Sequence, residues 1–342
     1  MDIEAGYRLL KYYTVKMGMN AWMHAEPGVG KTTLVDRLEW ETKVPVLRFP
    51  PAVSMDPVDI RGIPSLVQLK DRQATTWNLA DFIPTDPHWD GIIFVDEVAQ
   101  APTSVQATLL QITGPPYRIG MIKMPVNARW VFAGNRREDR AGVNALITPL
   151  LNRFKHIDIE PDAARLCAYL RKRNIPGAEI GARFLEFCPD LVSTFKPNEQ
   201  QRAFASGRQW EEVCPILADP PDDDLFFDAL AGALGAGVAS QIIGWLEIQR
   251  GLKPVPEMLQ DPDGCPVPTK EEPSTCFAVV QALTAHCKTT PADCVAAVRI
   301  VLRLPRDYAA KAMGDLLAIN PAVRQSVEFQ AFRKQYGNLF QD

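Results

Sequence analysis

The octet Ala25-Glu26-Pro27-Gly28-Val29-Gly30-Lys31-Thr32 constrains this chain more than any other stretch. An apolar run of β-formers, Ala21 to Ala25, leads into it, and a run of helical character, Thr32 to Trp40, leads out. Glycines between a strand and a helix let the backbone curl so that successive N–H groups converge, and the positive end of the helix adds to them. With Lys-Thr at the close, this arrangement cradles phosphate. Lys31 is placed to reach the β- and γ-phosphates of a nucleoside triphosphate, and the Thr32 hydroxyl to bind Mg²⁺. The candidate cofactor-binding residues are Glu26, Pro27, Gly28, Val29, Gly30, Lys31, Thr32 and Thr33. Ala25 stands where the pattern usually has Gly, which costs backbone freedom at that one position. The alternative is a Gly-Pro turn that happens to carry Lys-Thr; the full spacing and the correct flanks disfavour it.

Four more apolar runs follow in the first half: Val44 to Phe49, Ile92 to Asp96, Arg129 to Ala133 and His156 to Ile159. Helix-like stretches alternate with them, notably Thr103 to Thr113 after Pro102. That alternation predicts an α/β fold, a parallel five-stranded sheet with helices on both faces, and ligands of such sheets sit at the carboxyl ends of the strands. A chain of 342 residues exceeds what one core usually organises. After Pro161 helical periodicity takes over, in Ala163 to Arg173, Gly181 to Cys188 and Glu199 to Val213. Between Lys253 and Ser274 the chain is rich in Pro, Asp and Gly and reads as a linker or extended loop, after which helices resume. The expected organisation is a nucleotide-binding domain over 1–160, an α-helical lid over 161–252, and a linker with a C-terminal helical region over 253–342. Ala229 to Leu246 carries no charge, but its Gly and Ala content suits a tightly packed helix better than a membrane span.

Two further strand ends carry polar groups. Ile92 to Val95 runs into Asp96-Glu97, about sixty residues after the loop. Asp96 is the candidate metal-side carboxylate, alongside Thr32, and Glu97 the candidate base for an attacking water, the two pointing to opposite sides by the two-residue period of a strand. Arg129 to Gly134 ends at Asn135, an amide that can sit between the γ-phosphate and that water. A turn-forming Asn after Gly134 is the alternative there. Thirty-seven basic against forty-one acidic residues give a net charge of −4, so no global field draws in nucleic acid. Seven cysteines at wide spacings, with no CxxC pair, read as free thiols in a reducing cytoplasm. The opening Met1-Asp2-Ile3-Glu4 lacks the basic then apolar order of an export signal.

In these motifs the chain resembles the AAA+ ATPases, and more narrowly their MoxR branch. The resemblance also covers Asp56-Pro57-Val58-Asp59-Ile60-Arg61-Gly62-Ile63-Pro64 and Leu151-Asn152-Arg153-Phe154, and extends with gaps from about residue 20 to 250. It implies ATP and Mg²⁺ as cofactors and an ATP-hydrolysing enzyme assembled as a homo-oligomer, a hexameric ring. By the same resemblance Arg153 is the candidate arginine finger, acting on a neighbouring subunit's nucleotide. Arg136, Arg137 and Arg140 are rivals, and a salt bridge at a helix end is the plain alternative for Arg153. Ser206-Gly207-Arg208-Gln209-Trp210 is similar to the family's Ser-Pro-Arg-x-Trp lid motif, so Arg208 is the candidate γ-phosphate sensor, against a solvated helix-face Arg. The candidate catalytic residues are then Glu97, Asn135, Arg153 and Arg208.

Nearly forty residues, Ser54 to Asp90, separate the second and third strands, far beyond an ordinary connection. Ser65 to Gln68 and Thr75 to Asn78 are expected to pair as a hairpin, and a second hairpin is expected at Tyr117 to Val126. Trp77, Tyr117, Ile119 and Met121 either touch a substrate or fill local core. The resemblance implies a remodelling motor that activates a protein client with a partner bearing a von Willebrand factor A domain. A nucleic-acid-directed translocase and a nucleotide-gated binding switch are the competing readings. The acidic balance argues against the first, and Glu97 with Asn135 suits attack by water better than transfer to a bound acceptor.

Overall fold

The computed structural model describes residues 1–336 apart from 81, 116, 120–121, 137–145 and 198. The chain divides into two compact units, Met1–Gly235 and Ala236–Asp342.

In the first unit, helix α1 (Ile3–Lys11) starts at Asp2, whose carboxylate accepts from the Ala5 N–H at 2.8 Å. After a π-helical turn come β1 (Ala21–His24), α2 (Lys31–Thr42), β2 (Val46–Arg48), α3 (Pro57–Arg61), β3 (Ile63–Gln68) and β4 (Gln73–Asn78). Then follow β5 (Ile92–Val95), α4 (Thr103–Ile112), β6 (Arg118–Ile119), β7 (Ile122–Lys123), β8 (Arg129–Gly134), α5 (Thr148–Leu151) and β9 (Lys155–Asp158). Helices α6 (Ala163–Arg173), α7 (Ala178–Phe187), α8 (Gly207–Ala218) and α9 (Asp223–Leu234) complete it.

The main sheet has five strands in the order β2-β5-β8-β1-β9, all parallel. Each strand coincides, to within two residues at its ends, with one of the five apolar runs. The central strands β1, β5 and β8 are almost entirely buried because both of their faces are covered, whereas the edge strands β2 and β9 expose Arg48, Lys155, His156 and Asp158. Trp22, Ile93, Val95, Trp130 and Phe132 pack with Val105, Leu109 and Leu150 on one face. Met23, Ile92, Phe94, Val131 and Ala133 pack with Tyr7, Leu10, Val35 and Leu38 of α1 and α2 on the other. This is the α/β fold expected from the sequence, and its order places β5, β8 and β1 side by side, so their carboxyl ends share one edge.

Helix α1 is fixed to α2 by Arg37, which stacks 3.8 Å from the Tyr7 ring centre and pairs with Glu4 at 2.6 Å and Glu41 at 2.8 Å. The Tyr7 hydroxyl donates to Glu41 at 2.5 Å. Against β9, α1 presents Gly6, where an added Cβ would lie 2.9 Å from Ile159 Cγ1.

Both hairpins form, β3 with β4 and β6 with β7. The helix expected over Glu199 to Val213 begins only at Gly207. Ser206 is extended and its hydroxyl accepts from the Gln209 N–H, so it caps α8. Ahead of it the chain doubles back, with the Thr194 N–H donating to the Ala205 carbonyl at 3.0 Å and the Ala205 N–H to Thr194 Oγ1 at 2.9 Å. Side-chain capping and this return bond override the helical period of residues 199–206.

The second unit is helical: α10 (Ala236–Gly251), α11 (Val255–Gln260), α12 (Pro273–Thr289), α13 (Cys294–Val301), α14 (Arg306–Ile319) and α15 (Val327–Tyr336). The uncharged stretch 229–246 is split at Gly235, in the left-handed region at φ 87°, between the end of α9 and the start of α10. No helix among the described residues is long and apolar enough to cross a membrane. The Pro-rich stretch 253–274 departs from the linker expected of it. Val255, Met258 and Cys265 are buried in the core of this unit with Leu283, Val298 and Leu316, and the Pro262 carbonyl accepts from Arg303 at 2.7 Å. Prolines there fix turns between packed segments; composition alone does not separate that use from a free linker.

Gly6→Val is expected to destabilise the first unit by about 1–3 kcal/mol in urea unfolding, because its branches meet Ile159. Gly6→Ala should be close to neutral, since the helix-propensity gain of about 1 kcal/mol offsets a contact that the Ile159 side chain can relieve. Equal stability of Gly6→Val and wild type would show that α1 does not pack on β9 as described.

Candidate nucleotide site

Between β1 and α2, residues 25–30 form a loop whose two glycines do what no other residue does without strain. Gly28 has φ 79° and Gly30 φ 102°. A Cβ on Gly28 would also lie 2.5 Å from Ser206 Oγ, so the start of α8 covers the loop closely. The loop closes on the Lys31 ammonium, which donates to the Ala25 carbonyl at 2.9 Å, the Glu26 carbonyl at 3.1 Å and Asn135 Oδ1 at 3.2 Å. One residue on, the Thr32 hydroxyl donates to Asp96 Oδ2 at 2.9 Å. The fold thus brings Lys31 and Thr32, at the start of α2, together with Asp96 and Asn135 at the ends of β5 and β8.

Glu97 differs from the geometry expected of it. The strand ends at Val95, and Glu97 lies in the left-handed region at φ 57° and ψ 27°, so the two-residue alternation does not reach it. That conformation costs a non-glycine residue about 1 kcal/mol, and residues held this way cluster at functional sites. Two bonds hold it: the Glu97 N–H donates to Asp96 Oδ1 at 2.8 Å, and its carbonyl accepts from the Gln100 N–H at 3.0 Å. Asp96 therefore accepts from Thr32 on one oxygen and orients Glu97 with the other.

The arginines separate. Arg153 donates to the Leu110 carbonyl near the end of α4, and its guanidinium lies against Gly114, where an added Cβ would come within 2.8 Å of Nε. Arg208 is at the start of α8; its N–H donates to the Gly28 carbonyl at 3.1 Å. Gly207, which replaces the Pro of the resembled motif, sits where a Cβ would be 3.1 Å from that same carbonyl. Arg136 pairs with Glu26 at 2.8 Å within its own chain. Arg137 and Arg140 lie outside the described residues.

Sequence reasoning missed two arrangements. In the first, the Glu26 carboxylate accepts from Arg136 on one oxygen and from the Ser193 hydroxyl at 2.6 Å on the other. Nothing local in the sequence marks Ser193. In the second, His24, the residue before the loop, meets His156 of β9 with Nε2 and Nδ1 2.7 Å apart, both rings stacked near Trp22. His156 Nε2 lies 3.0 Å from the Leu151 carbonyl, which can only accept, so Nε2 carries the proton and Nδ1 receives the His24 Nε2–H. Burial first, then His156 and Lys31, push the His24 imidazole down to about 4, with Asp158 opposing. A histidine two positions along the neighbouring strand is a signal visible only once strand order is known.

The β3–β4 hairpin has no core of its own: Ile63 is 65% exposed, Leu66 72% and Trp77 38%. Tyr117 packs against the sheet core. Met121 and the side chain of Ile119 lie outside the described residues.

No protein-family model matches the chain, and no curated protein matches it. Among solved structures it is similar to a point mutant of RuvB from Thermotoga maritima, at 15% identity and a TM-score of 0.42, covering 76% of this chain and 75% of that one. The same organism's RuvB Holliday junction branch migration motor is similar at 15% identity and a TM-score of 0.40, covering 76% and 75%. NtrX from Brucella abortus in complex with ADP is similar at 12% identity and a TM-score of 0.42, covering 97% and 67%.

The unfolded His24 takes a proton near pH 6.5, whereas the folded one stays neutral until about pH 4. The contribution of this imidazole to stability is therefore fully present above 6.5 and is lost as pH drops through this window. Thermal midpoints recorded between pH 7 and 4 should decline more steeply in wild type than in His24→Gln; parallel curves would contradict the burial of this imidazole.

Proposed function

We propose that this chain is an ATPase of the AAA+ type that works as a MoxR-like ring motor. The observation that carries the proposal is the double brace at one sheet edge, Lys31 on Asn135 and Thr32 on Asp96, behind a glycine loop at a helix N-terminus. The residues present fit a triphosphate and its cation. The loop N–H groups and Lys31 would hold the phosphates, and Thr32 and Asp96 would hold Mg²⁺, which is bound in such sites by one or two protein oxygens besides phosphate and water. When bound, the cation supplies neutralising charge to the phosphate oxygens.

Hydrolysis then falls to this chain's own groups. Glu97, fixed by Asp96, takes the proton of the attacking water, and Asn135 donates an amide N–H that positions it. Its Oδ1 faces Lys31, so its NH₂ is the end turned to a ligand. Arg208, carried on the helix that covers Gly28, reads the γ-phosphate from its own subunit. Arg153, docked on α4, acts on the nucleotide of a neighbouring copy, which makes the site complete only in an oligomer. The family resemblance extends the reading to a hexameric ring that remodels a protein client with a von Willebrand factor A partner. The exposed apolar β3–β4 hairpin supports a role in touching that client.

Lys31→Ala should raise the Kd for ATP at least about tenfold, whereas Glu97→Gln should keep binding and lower kcat about a hundredfold or more. Equal loss of binding in both would contradict the assigned roles. Glu97→Gln and Arg153→Ala should each be inactive alone, and an equal mixture should regain about a quarter of wild-type turnover, because random assembly leaves that share of interfaces with both groups intact. A mixture that stays inactive, or an Arg153→Ala variant with full activity, would remove Arg153 from the role.

A further inference from the structure

Glu26 is usually a free choice in a loop of this kind, since the phosphate-binding work is done by backbone N–H groups and the terminal Lys-Thr. Here it is the most connected residue of the loop. Its carbonyl accepts from Lys31 at 3.1 Å, one carboxylate oxygen from Arg136 at 2.8 Å and the other from Ser193 Oγ at 2.6 Å. The ion pair is largely out of water, with the side chains 15% and 19% exposed. Resting on the ATPase reading above, we infer that Glu26 is a positioning residue, whose side chain ties the phosphate loop to the end of β8 and to the helices that cover the site.

Each tether leads to a residue that matters. Arg136 follows Asn135, which itself accepts from Lys31, so Lys31, Glu26, Arg136 and Asn135 close a ring between the loop and the end of β8. The ring thereby fixes the loop and its lysine on the end of β8. Ser193 lies on a segment pinned to α8. Trp210, fully buried, donates its indole N–H to the Leu191 carbonyl at 3.0 Å, and Thr194 is bonded to Ala205, just before the cap Ser206. Ser206 and Arg208 in turn press on Gly28. The helices thus hold the loop at two points, by packing at Gly28 and by a side-chain bond at Glu26.

Charge explains why a carboxylate is tolerated beside a phosphate site. Unpaired, it would repel the triphosphate; the Arg136 guanidinium cancels that charge and fixes the carboxylate plane, leaving its second oxygen aimed at Ser193. A glutamine keeps an acceptor for Arg136 but is neutral, so the charge-assisted bond to the guanidinium is replaced by a weaker one, and Ser193 has to turn from donor to acceptor to meet the NH₂.

The test is equilibrium binding of a fluorescent ATP analogue and steady-state hydrolysis on the full chain, with thermal midpoints alongside. Glu26→Gln is expected to raise Kd and KM about tenfold with kcat changed less than about threefold. Ser193→Ala should raise them about threefold, Ser193→Thr, which keeps the hydroxyl, should stay near wild type, and Glu26→Gln with Ser193→Ala should be no worse than Glu26→Gln alone, as for two members of one network. Tighter binding in Glu26→Gln would mean the carboxylate acts only as a repelling charge. A lowered midpoint with unchanged Kd would mean it acts only on stability, and fully additive single effects would separate Ser193 from it; each of these overturns the inference. Wild-type protein that binds no ATP would instead overturn the ATPase reading beneath it.

Discussion

The Lys31 ammonium sits in a half-buried loop where three oxygens, from Ala25, Glu26 and Asn135, accept its protons. Those bonds define the candidate site, because a cation that has lost part of its water must be met from several directions at once. Two of the acceptors are the loop's own carbonyls, so the lysine shapes the loop that carries it. The third comes from the neighbouring strand, so β8 has to end where it does. Thr32 and Asp96 add a second brace from one strand further out. Short, rigid strand ends are what hold such distances.

That brace is possible because the sheet is buried on both faces. Trp22, Trp130 and Phe132 on one side and Met23, Phe94 and Val131 on the other leave the strands no freedom to slide, since a one-residue slip would exchange the two faces. The register pairs Ala21 with Val131 and Ile92 with Arg129, and this lines up the carboxyl ends of β1, β8 and β5. Where the strands stop, Glu97 is held in the left-handed region at a cost, while Gly28 and Gly30 take positive φ without one. The same edge receives α8, so the helices that follow the sheet belong to the site's architecture.

Much of this was legible in the residues. The five runs became the five strands, Ala163 to Arg173 became α6 at both ends, and the loop lies between a strand and a helix as its glycines demand. The expectations that shifted did so for local reasons of hydrogen bonding. Ser206 capped a helix that periodicity would have begun earlier, Glu97 turned left-handed where the strand period would have carried on, and the prolines of 253–274 folded into a core. Periodicity reports which face is apolar; it does not report where a side-chain oxygen ends an element.

By itself the sequence determined the elements, the glycine loop between β1 and α2 and the residue types at each strand end, because these depend on neighbours within a few positions along the chain. Only the tertiary structure decided which distant groups meet: Lys31 with Asn135, His24 with His156, and Glu26 with both Arg136 and Ser193. The order β2-β5-β8-β1-β9 sets the first two and brings Arg136 to Glu26, and the docking of α8 on Gly28 accompanies the contact of Glu26 with Ser193. Strand order and helix docking are chosen by how whole faces pack, a global free-energy minimum that no local pattern encodes.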